Sequence, residues 1–170
     1  MIQNPITQFG SLSPVTVYET GAPSNTMYIL QTFNGGSSSL RLTTLTGNIP
    51  TVTWNTGTAV FPTGSTPWAG NSGIANNNSS PQAAEPRLIN SGDNRMCNTV
   101  MVNGKIWGVH HVFLPQGAPE RAVIQWWQLQ TDGVVLQNGF IDDRVPEVHR
   151  TYPSIAVNAN EEVLIGYSKS

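Results

Sequence analysis

Short runs that alternate apolar and polar residues, each closed by turn-forming residues, recur along this chain. In the first third the runs cover residues 15–18, 26–33, 39–45 and 51–56. Each has the length and period-two alternation of a β-strand with one buried face. Asn34-Gly35-Gly36 sits between the second and third runs, where Asn and Gly supply the positive φ of a tight hairpin turn. A second group, residues 96–104, 106–113, 122–130 and 133–141, is more apolar. Within it, Ile106-Trp107-Gly108-Val109-His110-His111-Val112-Phe113 is apolar at both parities, which predicts a central strand covered on both faces. A third group, residues 152–160 and 161–168, supplies only an opening pair. No segment sustains a helical period, so the chain is expected to be all-β.

Four short antiparallel strands repeated along a chain are the mark of a β-propeller blade. The predicted architecture is one domain, a partial β-propeller of about two and a half four-stranded blades. Its expected parts are a blade at 12–61, a long loop at 62–92, a blade at 93–143 and a half blade at 149–170. The loop contains Asn76-Asn77-Asn78-Ser79-Ser80-Pro81 and too few apolar residues for a strand signal. Trp68 is expected to dock somewhere, because a large apolar ring gains from any burial.

Composition narrows the function classes. Only 11% of the 170 residues are charged and the net charge is −2. With no run of Lys or Arg, the phosphate neutralisation that nucleic-acid binding requires is missing. No apolar stretch approaches the ~20 residues of a membrane-spanning helix. Met1-Ile2-Gln3-Asn4-Pro5 lacks the charged and apolar regions of a signal peptide. Cys97 is the single cysteine, which excludes an intrachain disulfide, and its apolar strand predicts a buried thiol.

Candidate chemistry is sparse. Asp93 and Arg95 precede the first strand of the clearest unit, a place that faces the central channel in a propeller. His110 and His111 are consecutive on a strand and so point to opposite faces, one expected in the core and the other on a channel. Trp126 and Trp127 diverge likewise. Trp54 and Trp68 flank the long loop and are expected to be the more exposed indoles, suited to stacking on a sugar ring. Asp142 and Asp143 form the densest acidic group, expected to be a solvated loop with Asp143 paired to Arg144 or Arg150. No metal or cofactor motif is present.

The stretch Ser91-Gly92-Asp93-Asn94-Arg95, with Asn98-Thr99-Val100, Asn103-Gly104-Lys105-Ile106-Trp107 and His110, resembles repeats of large secreted bacterial β-propeller proteins of poorly defined function. So does Tyr152-Pro153-Ser154-Ile155-Ala156-Val157-Asn158-Ala159-Asn160 with Val163-Leu164-Ile165-Gly166-Tyr167-Ser168. The resemblance covers residues 91–170 and implies a sialidase-like fold in a secreted or cell-surface protein. The Ser-x-Asp-x-Gly-x-Thr-Trp box of sialidase-type blades is missing, and the spacing of the arginines selects no triad.

An incomplete ring exposes sheet faces and edges, so further blades or assembly with copies of the chain is expected. The expected function is a non-catalytic module that binds carbohydrate or a protein surface, with Asp93, Arg95, His110, Trp54, Trp68 and Trp127 as its ligand-binding residues. The alternatives are a glycosidase using Asp93, Arg95, Asp142 and Asp143, and a purely structural repeat.

Overall fold

A computed structural model describes residues 11–18, 25–33, 39–60, 66–73, 78–145 and 147–170. The Asn34-Gly35-Gly36 turn and parts of the 62–92 loop lie outside the described residues. All regular structure among them is β, as expected. The strands are β1 (Ser13–Pro14), β2 (Thr16–Val17), β3 (Thr26–Phe33), β4 (Ser39–Asn48), β5 (Thr51–Val60), β6 (Asn78–Gln82) and β7 (Glu85–Asn90). They continue with β8 (Asn98–Val102), β9 (Lys105–Leu114), β10 (Arg121–Gln130), β11 (Val135–Ile141), β12 (Arg150–Val157) and β13 (Val163–Lys169).

These form a four-stranded sheet in the order β1-β3-β4-β5, a five-stranded sheet β11-β10-β9-β8-β2, and two hairpins, β6-β7 and β12-β13. No sheet closes on itself. The five-stranded sheet is central, and its strand parity explains why. Ile106, Val112, Val123, Trp127 and Leu129 pack with Leu30, Leu40 and Leu42 of the four-stranded sheet. The alternate positions Trp107, Val109 and Ile124 pack with Ile155 of β12 and with Val157 and Ile165. β9 is therefore buried along nearly its whole length. Period two places successive residues on opposite faces, and here both faces have a partner. At Gly108 an added Cβ would lie 2.8 Å from Leu30 Cδ2, so the missing side chain lets Leu30 press onto the central sheet.

Two polar seams fix the layers. Ser13 and Thr99 share a hydroxyl contact of 3.0 Å, and Thr99 Oγ1 donates to the Pro14 carbonyl at 3.0 Å. On the other face Asn98 Oδ1 accepts the Ile155 N–H at 2.9 Å, and Lys105 holds Glu161 at 2.7 Å.

Three expectations about elements need correction. Residues 15–18 are not one strand of the first sheet. Ser13–Pro14 pairs antiparallel with β3, the Val15 N–H bonds the Tyr28 carbonyl at 2.9 Å, and Thr16–Val17 then pairs parallel with β8. Buried Val15 marks the crossing between sheets. Secondly, the 62–92 loop contains the β6-β7 hairpin, which carries almost no apolar alternation. It is held by polar contacts instead: Ser79 and Ser80 meet Ser91 at 2.8 and 2.6 Å, and Gln82 Nε2 donates to the Arg87 carbonyl at 2.8 Å. Thirdly, Trp68 is fully buried. Ala69 exchanges both backbone hydrogen bonds with Phe113, at 2.9 and 3.2 Å, and this draws the loop back over the sheet so that the indole enters the core.

Candidate functional site

The two adjacent histidines divide between core and surface. His110 is fully buried among Trp68, at a ring separation of 5.5 Å, and Trp127. Its Nδ1–H donates to the Asn94 carbonyl at 2.8 Å, which leaves Nε2 to accept the Trp127 indole N–H at 3.1 Å. Burial pulls its pKa down to about 4, so the ring is neutral near pH 7. Of the expected ligand-binding residues, His110, Trp68 and Trp127 are thus core residues with no exposed surface. Their physical reason is shared: three large rings gain most by packing edge to face between two sheets, where the Trp127 N–H also finds His110 Nε2. Trp54 lies half-buried on β5 opposite Leu45, in the outer part of the four-stranded sheet.

Asp93 and Arg95 do line a cleft, of about 360 Å³. They do so with His111, Cys97 and Tyr152 rather than with His110. The lead-in to β8 is shaped locally: Asn90 Oδ1 accepts the Gly92 N–H at 2.7 Å, and Gly92 takes a φ of +68°. An added Cβ there would sit 3.5 Å from His111 Cε1 and Nε2 and 3.6 Å from the Tyr152 ring, so glycine keeps this part of the cleft open. Asp93 Oδ1 then accepts the Arg95 N–H at 3.2 Å and its Oδ2 meets the Arg95 guanidinium at 2.7 Å.

Tyr152 arrives from the far hairpin. The β12-β13 ladder shifts register between Thr151 and Ser154, and Tyr152 takes a φ of +51° in that bulge. Its N–H therefore turns away from β13 and donates to His111 Nδ1 at 3.4 Å. Its hydroxyl donates to the Asn90 carbonyl at 2.6 Å, while half of the residue's surface stays exposed. Bulges and left-handed non-glycine residues carry a local conformational cost and often re-aim a side chain at a site.

Because Nδ1 of His111 is the acceptor, its proton lies on Nε2. That atom is buried and meets no acceptor in hydrogen-bonding geometry, although the nearby Ser91 backbone favours the protonated ring. Burial dominates and holds the pKa near about 4. Cys97 Sγ lies 4.0 Å from His111 Nδ1. The expected buried thiol is only half right: the residue keeps an exposed surface, yet its neighbourhood desolvates the sulfur enough to push the thiol up to about 11. At neutral pH the cleft therefore holds one carboxylate, one guanidinium, a neutral imidazole and a neutral thiol.

That thiol should be sluggish. Raising its pKa from 9.0 to about 11 leaves roughly 100-fold less thiolate, while the higher basicity makes each thiolate roughly 8-fold more nucleophilic. Reaction with an aromatic disulfide reagent at pH 7.5 is expected to run roughly tenfold slower in the folded than in the urea-unfolded chain. Equal rates would show that the sulfur is not desolvated.

The acidic group lies elsewhere and is spent on ion pairs. Asp142 receives two bonds from Arg121, each 2.8 Å, which hold its carboxyl below the usual carboxylate range. Asp143 pairs with Arg150, one of the two expected partners, and with Lys169 at 3.4 Å; the hydrogen bond from Arg150 is the main cause of its lowered pKa. Neither faces Asp93 across the cleft. Among the described residues no three His, Cys, Asp or Glu side chains converge as metal ligands. Comparison with protein-family models, with curated proteins and with solved structures yields no match.

His111, Cys97 and Tyr152 were not singled out as site residues from the sequence. Strand parity had placed one histidine of the pair on a channel-facing surface without saying which. For Tyr152 the available signal was the following Pro153, which cannot donate to a ladder and marks a bulge.

Proposed function

We propose that this chain is a non-catalytic binding module built from β-propeller-type blades, and that the cleft at Asp93, Arg95, His111 and Tyr152 takes a carbohydrate. In this reading the four-stranded sheet, the central sheet and the β12-β13 hairpin are successive blades, stacked face to face as in a propeller, with the last blade incomplete. The observation that carries the ligand class is the composition of the cleft: a half-exposed Tyr152 ring stands beside a fixed Asp93–Arg95 pair. A flat aromatic face meets the C–H face of a sugar, and charged planar groups meet its hydroxyls.

Several features favour binding over catalysis. A retaining or inverting glycosidase needs two carboxyl groups across one cleft, whereas Asp142 and Asp143 sit in ion pairs away from Asp93. The thiol is not ionised at neutral pH. The test is a glycan array with the full chain, followed by solution affinities for the glycans retained. Tyr152→Ala is expected to weaken binding at least tenfold, and Tyr152→Phe, which keeps the ring, to recover part of that loss. A folded protein that retains no glycan would overturn the carbohydrate reading.

A further inference from the structure

Away from the cleft, and independently of the carbohydrate reading, we infer that the free edge of β13 pairs with the same strand of a second copy of this chain. Two hairpins then join into one four-stranded antiparallel sheet about a two-fold axis. β13 is the last strand of a two-stranded sheet, so one of its edges has no ladder among the described residues. Asn158 and Glu162 at one end of the hairpin, and His149 and Ser170 at the other, are hydrogen-bonded across it. Such pairs alternate along an antiparallel ladder, so Leu164, Gly166 and Ser168 bond toward β12 while Val163, Ile165 and Tyr167 turn their N–H and C=O groups outward. Natural sheet edges are blunted by charge, proline or a bulge. Val163-Leu164-Ile165-Gly166-Tyr167-Ser168 carries neither charge nor proline. In the β4–β5 and β10–β11 ladders the extra residue falls on the outer strand, whereas in β12–β13 it falls on β12 and leaves the β13 edge straight.

The chemistry of the edge favours a copy of itself. The face turned from the central sheet carries Leu164, 73% exposed, opposite Ala156, and with Val157 and Val163 these line a groove of about 310 Å³. In a two-fold pairing centred on Ile165, Leu164 lies opposite the partner's Gly166, and Gly166 opposite the partner's Leu164. Each large side chain then stands beside a position that has none. Charge sets the direction. The start of β13 carries Glu161 and Glu162 against Lys105, an excess of negative charge, and its end carries Lys169 and Arg150 against Asp143, an excess of positive charge. Antiparallel pairing brings each end beside its opposite, whereas parallel pairing would set like ends together. With β12 on its other side, β13 offers a single edge, so the pairing closes at two copies instead of growing into a fibre.

Sedimentation equilibrium of the full chain, over roughly a hundredfold range of concentration, tests this. The mass is expected at two chains, falling toward one only on dilution. Leu164→Lys replaces an exposed side chain and places two cations on the shared face. Val163→Pro removes an outward N–H at the first position of the strand, where the ladder to β12 does not use it. Each variant, checked for folding by near-UV circular dichroism, should raise the dimer dissociation constant at least tenfold. A monomer at every concentration, an assembly larger than two, or a dimer that neither variant weakens would overturn the inference. Glycan binding stands or falls separately, on the array.

Discussion

Trp127→Ala is expected to destabilise the protein by about 3–5 kcal/mol, the usual cost of removing a large aromatic ring from a closed core. Trp127 has no exposed surface and lies between Trp68, at a ring separation of 5.8 Å, and His110. Its removal forfeits the area burial and the edge contacts of the aromatic cluster. It also strips the indole donor from His110 Nε2, leaving the buried Gln125 amide at 3.2 Å as that nitrogen's remaining neighbour. β9, laddered to Trp127's own strand, and Leu40 and Leu42 of β4 in the same core cluster limit how far the cavity can collapse. Trp127→Phe separates the two effects, since it refills most of the volume without restoring the N–H, and should cost about 1–3 kcal/mol. Urea unfolding is the measurement. With a slope of about 2 kcal/mol per molar for a domain of this kind, the alanine variant should lose roughly 2 M in midpoint. A shift below roughly 0.5 M would show that the two sheets are not locked through this residue.

The same cluster explains what the sequence could and could not disclose. β9 was legible because both of its faces are apolar and both are covered. β6 and β7 were not, since their ladder is held by serine, glutamine and backbone groups, and hydrophobic periodicity is blind to such strands. The parallel pairing of Thr16–Val17 with β8 was equally hidden, because two residues carry no period at all. For the site, Asp93 and Arg95 could be placed at the lead-in to β8 from chain position alone. Choosing between His110 and His111 required knowing which face of β9 meets Trp68 and Trp127. Tyr152 reaches the cleft only through a bulge, an event set by the local ladder rather than by residue pattern. Trp68 is hidden for the reverse reason: it stands between Pro67 and Ala69 in a turn-rich stretch with no apolar period, and the Ala69–Phe113 bridge that buries it is a long-range contact.

The two histidines give the protein a specific acid weakness. Burial lowers both pKa values from 6.5 to about 4, so the unfolded chain binds protons at a higher pH than the folded one. Between those limits the unfolded state carries more protons, and stability must rise with pH. The contribution is fully present above about pH 6.5, the ordinary histidine value, and fades as pH falls toward 4. The loss amounts to about 3 kcal/mol per histidine once the pH has fallen to about 4. The carboxylates act in a separate window: Asp142 is depressed by Arg121, so its contribution persists above the ordinary carboxylate range and disappears only as pH falls below it. Urea midpoints measured from pH 7.5 down to 4.5 should therefore fall steeply before the carboxylates titrate. His110→Gln should reduce that slope by up to about half, the rest coming from His111 and from His149, whose pKa burial also lowers, even if the variant is less stable at pH 7.5. Ring-proton shifts of His110 and His111 that stay constant down to about pH 5 would confirm their neutrality, whereas titration near 6.5 would show that the rings are open to water.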